Sequence, residues 1–145
     1  DEYDDKSAQK KLVNYYKDNL TLQKHYLSLL ADKNNLEAFV KLGDIFSQEK
    51  NYGLAFSNYN NFFNATSNLK DKPKPDMSGI DKEKLKLNYG KSCVSLGKFE
   101  IAEECFKDNK YLSDNENIIE VAKLYETAQQ FKKAIEYYKL ALHIQ

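Results

Sequence analysis

Apolar residues recur at helical spacing along most of the chain, and short polar breaks separate the runs. Over residues 6–33, Leu12, Val13 and Tyr16, then Leu20, Leu22, Tyr26, Leu27, Leu29 and Leu30, predict helix, with a turn at Asn19 and a stop at Asn34 and Asn35. Three longer runs follow, at 36–64, 83–113 and 114–145, each long enough for two helices; the first has its turn near Glu49 to Tyr52. Between them, 65–82 is a polar Pro- and Lys-containing stretch that no single helix crosses, because Pro73 and Pro75 lack the amide hydrogen and clash with the preceding turn. Asp81 is suited to cap the helix after this loop, and Ser113 or Asp114 the next. The fold class expected is all-α, built from antiparallel helical hairpins.

The three runs share one register. Gly43 is followed by Phe46, Ala55 and Tyr59, Gly90 by Cys93, Ala102 and Phe106, and Ala122 by Tyr125, Ala134 and Tyr138, so offsets of three, twelve and sixteen hold in every copy. A further aromatic stands nine after each small residue, at Tyr52, Phe99 and Phe131. Small residues on one helix and alanine on the next let two antiparallel helices approach to about 8–10 Å, and the aromatics fill the space between neighbours. Phe39 with Leu42, and Ile118 with Val121, add a bulky residue four before the small one and an apolar residue just before it.

This pattern resembles the tetratricopeptide repeat family. The resemblance covers about three quarters of the chain and implies a right-handed superhelical solenoid of about three repeats plus an N-terminal helical segment. The segment 1–35 would be a degenerate repeat or the end of one that begins earlier; 36–64, 83–113 and 114–145 would be repeats. Three departures stand out: Lys86 replaces a bulky residue, the usual proline after each second helix is missing, and the small residues are 47 and then 32 apart. The 65–82 loop accounts for the uneven spacing, as a tolerated surface insertion or a binding element.

Composition narrows the function classes. With 22 basic and 22 acidic residues the formal charge is zero, so no excess field gathers a polyanion. Every basic residue is lysine, which removes the planar fork suited to phosphates and guanine edges, and nucleic acid is not expected as a partner. The longest uncharged run, Asn51 to Leu69, holds six asparagines and a glycine and is not expected to span a membrane. Cys93 is expected inside a hairpin and Cys105 to turn away from it, as two buried or half-buried thiols compatible with a reducing compartment such as the cytoplasm, without requiring one.

No catalytic residue, metal site or cofactor is expected. His25 and His143 have no second ligand at a metal-binding spacing. Asp4 with Asp5 and Glu103 with Glu104 are adjacent, and neighbours on a helix diverge by about 100° rather than converge. The five glycines form no phosphate-cradling cluster. Asn64-Ala65-Thr66 matches a glycosylation acceptor by composition alone.

The resemblance also implies where a protein partner would sit, since in that family the first helices of successive repeats line a concave groove. The groove positions here would be Glu37, Val40, Asp44 and Ser47, then Lys84, Leu87, Lys91 and Val94, then Glu116, Ile119, Lys123 and Glu126. Val40, Leu87 and Ile119 would form an aliphatic stripe that either seats a partner's apolar side chains or supports neighbouring helices. The family's clamp for chaperone C-terminal tails would need bases where Val40, Glu116 and Glu120 stand and asparagines at Asp44 and Asn88; only Asn88 fits, which argues against that partner. The final helix is the alternative surface. Ala134, Ile135, Tyr138, Ala141, Leu142 and Ile144 offer more apolar area than one neighbour covers, so the array is expected to continue or to dock on another chain, a homodimer included, through Ile135, Tyr138 and Leu142.

Overall fold

The computed structural model describes residues 20–32, 35–69 and 77–143, and the expectations at Leu12, Val13, Tyr16, Asn19, Asn34, Pro73, Pro75 and Ile144 lie outside them. Among the described residues there are seven α-helices and no strand: α1 (Leu20–Ala31), α2 (Leu36–Gln48), α3 (Tyr52–Ser67), α4 (Lys82–Ser95), α5 (Phe99–Phe106), α6 (Asn115–Thr127) and α7 (Phe131–Leu142), with a 3-10 turn at Lys110–Ser113.

Polar caps start the helices that open each hairpin. The side chains of Asn35, Asp81 and Asp114 accept from the backbone N–H of Ala38, Lys84 and Glu116 at 3.0, 3.2 and 2.8 Å, each satisfying a donor that the first turn leaves unpaired. The same helices end alike. Lys50, Gly97 and Gln129, each seven after the small residue of its hairpin, take left-handed backbone at φ 61, 79 and 63. The next residue's N–H then reaches back five positions, from Asn51, Lys98 and Gln130 to the carbonyls of Phe46, Cys93 and Tyr125 at 2.8, 2.7 and 2.8 Å. This closing motif reverses the chain in three residues and folds each second helix back on the first.

Hairpin packing follows the offsets. A Cβ built on Gly43 would lie 2.4 Å from the ring of Tyr59, and one on Gly90 2.5 Å from that of Phe106, so the ring sixteen residues on occupies the space of the absent methyl. Ala55, Ala102 and Ala134, twelve after the small residues, are all buried. The hairpins stack in chain order: α2 packs on α1, α4 on α3, and α2, α4 and α6 lie side by side. Two larger cores form at the junctions, one around Phe39, Val40, Tyr59 and Leu85, the other around Leu87, Val94, Phe106 and Tyr125. Leu27 and Leu30 of α1 form a third with Ala38 and Leu42.

Two local features differ from the sequence expectation. α3 runs on through Ala65 to Ser67, because nothing in Asn64-Ala65-Thr66 breaks a helix and Ala65 still packs against the core. α5 stops after eight residues, where Lys107 turns extended and Asp108 takes φ 55. The buried Asn109 repairs the break: its amide donates to the carbonyls of Glu83 and Cys105 at 3.0 and 3.3 Å, and its oxygen accepts from the N–H of Tyr111 at 3.0 Å. Tyr111 in turn donates to the Asp81 carboxylate at the start of α4. At the departure from the repeat pattern, Lys86 points into solvent and Leu85 is buried beside it.

Candidate interaction surfaces

The side-by-side placement of α2, α4 and α6 brings the twelve expected groove positions onto adjacent helices, but they do not form an open apolar stripe. Val40, Leu87 and Val94 are buried in the two junction cores, Ser47 is buried as well, and Ile119 is half-buried. The aliphatics thus support neighbouring helices wherever a following helix exists. What remains accessible is charged: Lys84, Glu116, Lys123 and Glu126 are exposed, and Glu37 is half-buried with Lys41 at 3.5 Å.

One groove position is used in the same way at both junctions. The residue just after the small residue of one first helix meets the residue two before the small residue of the next. Asp44 accepts from the Asn88 amide at 3.1 Å, and the Lys91 ammonium lies 3.0 Å from Glu120. Asp44 also accepts from the Tyr59 hydroxyl at 2.7 Å, and burial, then the adjacent Asp44 charge, raises the Tyr59 pKa well above the usual phenol value. Lys91 is almost fully enclosed, its side chain 7% exposed, so Glu120 is what compensates its charge. Chain order alone does not reveal these clasps, because the partners are 44 and 29 residues apart; only superposing the repeats puts them in one register.

The second helices carry the aromatic seats. Tyr89 of α4 sits among Phe56, Tyr59 and Phe63 of α3 at ring separations of 5.4, 6.1 and 4.9 Å. Tyr125 of α6 sits against Phe99 and Phe106 of α5 at 6.1 and 6.4 Å, stacks on Tyr137 at 5.5 Å, and donates to Glu103 at 2.7 Å. The equivalent face of α7 is bare. Phe131, Ile135 and Leu142 are 58%, 52% and 68% exposed, and Tyr138, half-buried, donates to Glu126 at 2.7 Å. Ala134 and Ala141, expected to add to this surface, are instead buried inside the hairpin. Phe131 belongs to the face as well, although its place in the sequence pattern is beside the turn; its signal is the recurrence nine residues after the small residue.

Chemistry at other places is sparse. Among the described residues no three His, Cys, Asp or Glu side chains converge as metal ligands, and both histidines are exposed. No described helix is long and apolar enough to cross a membrane. Cys93 is buried and Cys105 half-buried, both as free thiols; burial, with the neighbouring Cys105 second, pushes Cys93 up to about 12, and burial pushes Cys105 up to about 11. Neither thiol is an activated nucleophile at neutral pH. A cleft of about 540 Å3 between α1 and α3 is lined by Asn58, Asn61, Asn64 and Asn68, and Asp32 is the one ionisable side chain in its described lining.

No curated protein matches the chain. A family model does match part of it: residues 118–145, which include most of α6 and all of α7, are similar to the tetratricopeptide repeat, and the all-helical hairpin architecture agrees with the resemblance carried by the three sets of offsets.

Proposed function

We propose that this chain is a non-catalytic protein-interaction scaffold that holds a partner protein on the surface offered by α6 and α7. The observation that carries this reading is the uncovered stripe Phe131, Ile135, Tyr138 and Leu142: at the same positions on α3, Tyr52 and Tyr59 are buried and Phe56 and Phe63 half-buried, the last three against Tyr89 of α4, whereas here Phe131, Ile135 and Leu142 stand more than half exposed. An apolar helix face of this kind, beside the exposed cations Lys132 and Lys139, has the composition of a docking surface rather than of a solvated helix. The structural alternative, a segment that joins a larger assembly or a homodimer, uses the same face. A superhelical groove along α2, α4 and α6 is the second reading, favoured by the row of exposed charges Lys84, Glu116, Lys123 and Glu126, which suits register and selectivity more than affinity.

Affinity capture from native extract tests the choice. The parent is compared with an Ile135→Asp, Leu142→Asp variant and with a Lys84→Glu, Lys123→Glu variant, both altered only at exposed positions and checked by circular dichroism. Loss with the first pair locates the partner on α7; loss with the second alone moves it to the groove; a capture list identical in all three sinks both surfaces.

A further inference from the structure

We propose that the open α6–α7 face is a seat for one additional helix, contributed by a partner protein, in which an acid directly precedes one member of an apolar and aromatic pair spaced four residues apart. The proposal rests on the scaffold reading and specifies its partner. Three junctions inside the molecule already show the rule. The incoming helix offers the residues one before and three after its small residue: Leu42 and Phe46 to α1, Tyr89 and Cys93 to α3, Val121 and Tyr125 to α5. Each pair is one ring and one smaller apolar group on the same helix face. The receiving helix of the later two junctions supplies rings around the incoming tyrosine, and α7 presents Phe131 and Tyr138 at the corresponding offsets.

Charge selects the remaining position. The first helix beneath each seat holds a clasp residue, Asp44 for the Asn88 amide and Lys91 for the Glu120 carboxylate. At the open seat that residue is Lys123, exposed and in none of the described ion pairs, so it calls for an acid where Glu120 stands in α6. The occupant therefore resembles the stretch Glu120-Val121 to Tyr125.

The probe is a fluorescein-labelled peptide of residues 114–129 of this chain, bridged between positions 123 and 127, which are exposed in α6, because a free helix of this length is marginal in water. Anisotropy titration against the intact protein is expected to saturate. Ile135→Asp in the protein, or Glu120→Lys in the peptide, is expected to weaken binding at least about tenfold, as loss of an interface anchor does. Lys123→Glu in the protein is expected to recover binding of the Glu120→Lys peptide. Absence of saturation, or binding indifferent to Ile135→Asp, overturns the proposal. So does a concentration-dependent dimer in sedimentation that Ile135→Asp dissociates, since the face would then belong to a second copy. If the peptide fails while the α7-dependent capture described above persists, the helix code falls and the scaffold reading stands; saturable peptide binding without any α7-dependent capture removes the scaffold reading and, with it, the partner-protein occupant.

Discussion

The α2–α3 and α6–α7 hairpins use the same offsets and reach different packing. In the first, Gly43 leaves a space that the Tyr59 ring fills; the ring is fully buried, its hydroxyl is held by Asp44, and α4 closes over it. In the second, Ala122 already carries the methyl, and Tyr138 stays half-buried with its hydroxyl on Glu126. The middle hairpin, with Gly90 under Phe106, sides with the first. Two things therefore set how deeply the sixteenth-residue ring sits: the atom at the small position and the presence of a following helix. The pattern alone names which residues meet.

The largest test is to exchange the small residues. Gly43→Ala and Gly90→Ala each force a methyl into a ring, at distances no relaxed side chain tolerates. Overpacking of this kind costs about 1–3 kcal/mol, and the better helix propensity of alanine, up to about 1 kcal/mol, offsets only part of it. Ala122→Gly is expected to cost about 1 kcal/mol through propensity. Urea unfolding measures all three; a neutral Gly43→Ala would mean that Tyr59 swings out freely and that the depth of the ring is not set by the glycine.

A smaller effect separates the hairpin turns. All three place the residue seven after the small one in left-handed backbone, yet only the middle turn uses glycine, at Gly97. Lys50 and Gln129 bear the conformational cost that glycine avoids. Lys50→Gly and Gln129→Gly are each expected to stabilise by up to about 1 kcal/mol, and Gly97→Ala to destabilise by about the same amount. Equal responses in all three would show that the turns are held by tertiary contacts and not by their own backbone preference.

A pH-dependent effect singles out the middle hairpin, which holds both thiols. Burial raises Cys93 to about 12 and Cys105 to about 11, whereas an unfolded chain ionises a thiol near 8.5. Above about pH 8.5 the folded state holds more protons than the unfolded state, so stability is complete below that pH and declines as pH rises toward the folded values. The urea midpoint is expected to stay level from about pH 6 to 8 and to fall by about pH 9.5, with a flatter fall when both cysteines are alanine. A slope unchanged by that double variant would assign the decline to the buried tyrosines instead.

Helix identity and register were legible because 3.6-residue periodicity and fixed offsets are local properties: the small residues, their alanines and rings, and the caps at Asp81 and Asp114 could be read before any fold was known. The same periodicity says that Val40, Leu87 and Ile119 share a face but not what covers that face. Tertiary stacking decided that, burying Val40 and Leu87 against neighbouring helices and leaving Ile119 half open where α7 ends the described stack. It also decided the clasps of Asp44 with Asn88 and Lys91 with Glu120, since a contact across separate hairpins depends on their relative rotation, which no spacing within one helix encodes. The exposed Phe131, Ile135 and Leu142 follow from both: sequence put apolar side chains on one stripe, and only the three-dimensional stack shows that nothing described lies over it.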